Sequence, residues 1–291
     1  MLLGRHARGF VMASAAMASM YQYRVTRIWN ELQAQGKNCQ QLLVPDLLEL
    51  DQYHYGSTQT VDRAAEWLQL TATSHVLDIG AGVGGTARYL AWKYGCQVTG
   101  VELQPHLYEA AVQLTRATGL MEQVHLLLGD FLHLEQLAIA GQQFQAWISL
   151  LVFLHIGDRS TLFQNCARVL KPGGHFYIED YYQRQPLTQA DTAILENTLS
   201  CPYLPTLEQY RQDLGAAGFT DIVIEDVTQE WRPWVSDRTA RFLDQADYYT
   251  QIHGAEIFQS FARFYQAVED LFQRGNVGGV RITGQRPDSP L

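Results

Sequence analysis

The sequence predicts an α/β protein built on a doubly wound, mostly parallel sheet, and three observations predict it. Short apolar runs alternate with helical patterns from Val76 to Glu179, the order of strand–helix units stacked on a sheet. The first run, Val76-Leu-Asp-Ile79, opens into the glycine burst Gly80-Ala-Gly-Val-Gly-Gly85 and then into a helix start. Two further runs, Phe219–Val227 and Val280–Thr283, close the chain and bring the strands to seven.

Taken in order, residues 21–41 have helical character broken near Gly36. Residues 42–50 lead into Asp51-Gln-Tyr-His-Tyr-Gly56, a loop whose tyrosines and histidine suit ligand contact. Val61, Ala64, Ala65 and Leu68 recur at helical spacing, so residues 60–70 bury one face. Residues 1–70 therefore read as an N-terminal helical cap, and 71–291 as the main domain. Strands follow at 76–79, 97–102, 124–128, 144–151 and 175–179, with helices at 86–94, 105–118 and 159–170 between them. Pro105 suits a first helical turn, and Gly95 and Gly119 suit helix ends. Lys171-Pro-Gly-Gly174 turns a helix into the fifth strand. A helix is expected at 207–217, stopped by Gly218. Two insertions, 181–206 and 228–276, join the cap over the carboxyl edge of the sheet, where open α/β sheets bind ligands.

Composition narrows the function. The formal charge is −9 and no basic run stands out, which disfavours a nucleic-acid partner. No segment has the apolar length of a membrane span. Cys39, Cys96, Cys166 and Cys201 are far apart and form no CxxC pair, so they read as reduced thiols in a cytoplasmic protein, with no metal site. The first 30 residues contain no Asp or Glu and have a small, apolar stretch from Gly9 to Met20. It reads as a tail before an internal start at Met12, Met17 or Met20, with an organellar or secretory targeting segment as the alternative.

The glycine loop admits two cofactor classes. Gly80, Gly82 and Gly85 fit the dinucleotide fingerprint, with the acid Glu102 about 20 residues on. Asp78 discriminates: a carboxylate at the strand end repels a pyrophosphate and suits a cofactor carrying an ammonium group.

Asp78-x-Gly80-x-Gly82-x-Gly84 resembles the first motif of the class I (Rossmann-like) S-adenosylmethionine (SAM) methyltransferases. Leu170-Lys-Pro-Gly-Gly174 and the strand order resemble the same family over residues 50–285. The resemblance implies SAM as cofactor and S-adenosylhomocysteine as product. It implies cofactor contacts at Asp78, Gly80, Gly82, Gly84, Glu102, Leu103, Asp130, Phe131, Leu150 and Leu151. Glu102 would take the ribose hydroxyls, Asp130 the adenine amino group, and Phe131 would pack on the adenine ring.

Ser149-Leu-Leu-Val-Phe-Leu-His155 resembles the corresponding stretch of the sarcosine/dimethylglycine and phosphoethanolamine N-methyltransferases. Those enzymes carry an acid where this chain has Leu151, and a histidine at the position of His155. By that resemblance His155 is the proton acceptor, working with a lid tyrosine, Tyr53 or Tyr55. Tyr181, Tyr182, Glu179 and Trp231 are the candidate substrate contacts, and Glu179 or Asp180 is the candidate replacement for the missing acid.

The expected activity is N-methylation of a small amine or amino acid by a monomer or homodimer. Its alternative is O- or C-methylation of an aromatic or isoprenoid metabolite. An NAD-dependent oxidoreductase would need a Tyr-x-x-x-Lys or a separate substrate domain, and neither is visible. A non-catalytic SAM-binding scaffold is the remaining alternative.

Overall fold

The structure, a computed structural model, describes residues 15–288, with side chains from Tyr21 onward. Residues 1–14, which hold part of the candidate targeting stretch, lie outside the described residues. The elements in chain order are α1 (Ala15–Ala34), α2 (Ser57–Trp67), β1 (His75–Ile79), α3 (Gly85–Tyr94), β2 (Gln97–Glu102), α4 (Pro105–Ala117), β3 (Val124–Leu128) and β4 (Phe144–Leu150). Then come α5 (Arg159–Val169), β5 (Leu170–Gln183), α6 (Gln189–Asn197), α7 (Leu207–Ala216), β6 (Thr220–Asp226), α8 (Thr228–Asp244), α9 (Ala246–His253), α10 (Ala255–Arg274) and β7 (Val277–Gln285).

The strands form one sheet in the order β3-β2-β1-β4-β5-β7-β6. β3, β2, β1, β4 and β5 pair parallel, and β7 runs antiparallel between β5 and β6. The order reverses beside β1, so its carboxyl end, which leads into the glycine loop, sits at a topological switch point. Alternate strand residues serve opposite faces. Leu77, Ile79, Trp147 and Phe176 pack with Phe163 of α5 and Leu214 of α7. Val76, Val98, Ile148 and Tyr177 pack with Ala64 of α2 and Leu90 of α3.

A third cluster forms a cap, where Trp231 and Val235 of α8 and Phe261, Tyr265 and Phe272 of α10 meet Tyr55, Tyr181 and Leu195. α1 packs Tyr21 and Tyr23 on this cap and, on another side, Ile28 and Leu32 against Leu107 and Leu114 of α4 and Val83 of the glycine loop. Among the described residues no helix is long and apolar enough to cross a membrane. The four cysteines are free thiols.

Local chemistry explains the boundaries. α4 begins on Pro105, whose ring presets φ. The Asp158 carboxylate accepts the Thr161 N–H at 3.0 Å and caps α5. Two strands are longer than the sequence pattern suggests. β5 runs to Gln183 and β7 starts at Val277, because His175–Gln183 and Val277–Gln285 pair antiparallel along their whole length. Gly278 and Gly279 hide the start of β7 from a propensity reading. A Cβ at Gly279 would stand 2.2 Å from the Trp231 ring, so glycine there lets α8 close on the sheet. α1 ends at Ala34, ahead of Gly36 at φ +68°.

Candidate active site

β1 ends at Ile79 and the backbone turns sharply through Gly80, Gly82 and Gly84, at φ +78°, +56° and +80°. Only glycine takes such angles without strain. A Cβ at Gly80 would lie 2.4 Å from the Val152 side chain, which leaves no room for a larger residue. Glu102, at the end of β2, closes the loop from the other side. Its Oε2 accepts the Gly82 N–H and its Oε1 the Gln104 N–H, both at 2.8 Å. Asp78 is buried with Oδ2 unpartnered. Burial, followed by repulsion from Glu102, pushes its carboxyl up to about 7. Burial also raises the Glu102 carboxyl. Among the described residues neither carboxylate has an ion-pair partner, so the loop presents two buried acids and a set of backbone N–H groups.

The stretch 51–56 lies as a strap across this loop. The Asp51 carboxylate accepts from Arg88 Nη2 at 2.9 Å, a fully buried ion pair that ties the strap to α3. The Asp51 carbonyl stands 2.3 Å from where a Gly85 Cβ would be, and the Tyr53 ring comes within 3.9 Å of one at Gly82. Arg24 of α1 lies over the Tyr53 ring at 4.6 Å.

His155 ends a short turn after β4. Asp180 shapes that turn: its Oδ2 accepts the Leu154 N–H at 3.2 Å and its Oδ1 the Tyr181 N–H at 2.6 Å. His155 Nδ1 faces the Ser200 carbonyl at 3.3 Å. A carbonyl only accepts, so Nδ1 carries the proton, a tautomer assigned from the hydrogen-bond network. Nε2 is then left to accept from the Tyr21 hydroxyl at 3.2 Å. Burial holds the imidazole down at about 4 and the Tyr21 phenol up at about 12. The pair is therefore neutral at physiological pH.

The partner of His155 is thus Tyr21, not Tyr53 or Tyr55. Tyr53 sits over the glycine loop with its hydroxyl unpartnered. Tyr55 is in the cap, its hydroxyl paired with that of Tyr181 and its ring 4.6 Å from Trp231. Tyr55, Tyr181 and Trp231 do come together, in one aromatic cluster.

Tyr182 does not join them. The strand's period of two turns it to the opposite face, into the core with Phe176, where Arg184 Nε donates to its hydroxyl at 3.1 Å. Glu179 is already ion-paired: its Oε1 is held by Arg281 Nε at 2.8 Å and by the Tyr177 hydroxyl at 2.7 Å, while its Oε2 is buried without a partner. Asp180 is spent on the His155 turn. The Phe131 ring is buried beside Leu77 and Val101, directly after Asp130. Asp130 stays partly exposed with Oδ1 on the Leu132 N–H at 2.9 Å, and Leu103 is 49% exposed beside Glu102. Leu150 is buried at the end of β4, and Leu151 follows in the left-handed region at φ +57°.

A methyltransferase-domain family profile matches residues 77–178. The chain is 32% identical over 223 residues to a sarcosine/dimethylglycine N-methyltransferase of Halorhodospira halochloris, covering 76% of this chain and 78% of that one. The chain belongs to the class I SAM-dependent methyltransferases. This methyltransferase is also 33% identical over 224 residues to a glycine/sarcosine/dimethylglycine N-methyltransferase of Actinopolyspora halophila, covering 77% of this chain and 39% of the relative. Its fold matches Haemonchus contortus phosphoethanolamine N-methyltransferase 2, solved with phosphomonomethylethanolamine and S-adenosylhomocysteine. That match has a TM-score of 0.76 at 20% identity and covers 91% of this chain and 58% of the other. The chain therefore spans less than two thirds of two of these three proteins, 39% of one and 58% of the other.

The loop of this methyltransferase fits SAM. The unpartnered Asp78 Oδ2 calls for a cationic donor, and an ammonium supplies one. Each Glu102 oxygen accepts one N–H in the structure, and a carboxylate oxygen has a second lone pair for a hydroxyl. Tyr21 escaped the sequence reading because it lies 134 residues from His155, in a helix with no local signal for a site.

Proposed function

We propose that this methyltransferase transfers the methyl group of SAM to the nitrogen of a small amine or amino acid. The observation that carries the reading is the Tyr21–His155 pair beside the carboxyl end of β4. SAM supplies a methyl group on a cationic sulfur, open to in-line displacement. Asp78, Glu102, Asp130 and the N–H groups of the glycine loop would hold it, with Leu103 and Leu150 as apolar contacts. Leu151 cannot balance an ammonium, so the amine reacts in its neutral form. With SAM bound, the nitrogen lone pair would form the new N–C bond at the expense of the S–C bond. With a primary or secondary amine, the proton then released from nitrogen goes to Tyr21 Oη, while the Tyr21 proton passes to His155 Nε2. The strap and the cap exclude water and align the acceptor. The two N-methyltransferase relatives support nitrogen as the acceptor atom.

A second reading, O- or C-methylation of an aromatic or isoprenoid acceptor, is favoured by Leu151 and by the rings of Tyr55, Trp231 and Trp234. A labelled-methyl screen separates the two, with glycine, sarcosine, dimethylglycine, phosphoethanolamine, catechols and quinols as acceptors. Label on an amine supports the first reading, and label only on the aromatics supports the second.

A further inference from the structure

We propose that Arg238 of α8 anchors an anionic group, a carboxylate or a phosphate, on the methyl acceptor; this rests on the methyl-transfer reading above. Nε and Nη2 of Arg238 are buried and have no hydrogen-bond partner. The guanidinium lies 4.3 Å from the Tyr265 ring, 5.2 Å from Trp234 and 5.3 Å from Tyr55. Those three rings surround the group. Arg238 also hydrogen-bonds the Tyr55 hydroxyl, and the Nε–Nη2 edge is what these contacts leave unspent. That edge is a fork matched to the two oxygens of a carboxylate or phosphate.

No acid among the described residues fills the role. Among the described residues Arg238 forms no ion pair, and its neighbour Asp237 is exposed. Glu31 is taken by Arg27, by His253 Nε2 at 3.3 Å and by the Tyr248 hydroxyl at 3.2 Å. Residues 1–20 contain no Asp or Glu at all.

The surroundings are cationic in a chain of formal charge −9. Arg27 Nη1 donates to the Tyr265 hydroxyl at 3.3 Å, and Arg24 lies 5.3 Å from the Phe264 ring. Burial alone would raise the Tyr265 phenol, but Arg27, Arg238 and Arg24 outweigh it and draw it down. Tyr265 and Tyr55 belong to the same side-chain cluster on which Tyr21 and Leu151 pack. An acceptor with its anion on Arg238 therefore shares that cluster with Tyr21, the hydroxyl partner of His155.

The test is calorimetric titration of the full chain with inorganic phosphate and with acetate, at constant ionic strength in chloride. Wild type binds at least one of them saturably, and Arg238→Met weakens that binding at least tenfold. Arg238→Lys, which keeps the charge and loses the fork, falls between, and Arg241→Met, exposed on the same helix, stays at wild type. Tighter binding of phosphate assigns the subsite to a phosphoryl group, and tighter binding of acetate to a carboxylate. No saturable binding by wild type, or equal binding by wild type and Arg238→Met, overturns the proposal. If Arg238→Met fails to fold in a thermal scan, equal binding by Arg238→Lys overturns it in the same way. Failure of the methyl-transfer reading shows separately, as anion binding without label transfer to any acceptor.

Discussion

His155 Nε2 lies 3.2 Å from the Tyr21 hydroxyl, and this single hydrogen bond joins α1 to the turn after β4. The Ser200 carbonyl on Nδ1 fixes the tautomer that makes it possible. His155→Ala and Tyr21→Phe should each lower turnover on the order of 100-fold, the scale of general acid–base catalysis. SAM affinity should stay within about threefold, because neither residue belongs to the glycine loop. Steady-state rates beside calorimetric SAM binding check both halves.

The same histidine sets a pH dependence. Its folded value near 4 lies below the ordinary 6.5, so the unfolded chain binds the proton that the folded chain refuses. Stability should therefore fall as pH drops from about 6.5 to about 4. Buried His54, also held near 4, acts in the same direction. Asp78 and Asp180, whose carboxyls burial raises to about 7 and about 6, oppose this in the same window, so the histidine shows as a difference: in urea unfolding His155→Ala should gain stability relative to wild type on going from pH 7 to pH 5.

Asp78 acts in the opposite sense. Its carboxyl stands near 7, against 3.8 in the unfolded chain, so it costs stability as pH rises from about 4 to about 7. Asp78→Asn should raise the melting temperature of the cofactor-free protein at pH 8 and weaken SAM binding at least tenfold. Unchanged SAM affinity would remove Asp78 from the cofactor site.

Leu151 sits at φ +57°, a conformation that leucine rarely adopts and that Asp and Asn tolerate better. Leu151→Asn should leave stability equal or better, by up to about 1 kcal/mol. Leu151→Asp should shift the acceptor preference towards cationic amines, read as relative kcat/KM across the acceptor panel.

The Asp51–Arg88 pair is buried on both sides. Asp51→Ala leaves Arg88 uncompensated and should cost about 3–5 kcal/mol in urea unfolding. It should also weaken SAM binding, since the strap over Gly82 and Gly85 hangs from this pair.

Periodicity and glycine spacing made the sheet and the loop legible, because both are local. Val76–Ile79 followed by Gly80–Gly85 announces a strand, a turn and a helix start within ten residues. The rest depends on contacts far apart in sequence. Tyr21 meets His155 across 134 residues, and Glu179 is neutralised by Arg281 from β7. Tyr181 and Tyr182 were separable in principle by the strand's period of two. That required knowing that β5 continues to Gln183, which only its pairing with β7 enforces. Arg238 gave no signal, since an arginine on a helical face is ordinarily a solvated charge.

The most direct measurement is transfer of labelled methyl from SAM to the amine acceptors by wild type, Tyr21→Phe and His155→Ala, with SAM affinity measured on the same preparations. The account predicts label on an amine with wild type, and a loss on the order of 100-fold in both variants at nearly unchanged SAM affinity. Absence of transfer to every amine, or variants as active as wild type, would contradict it.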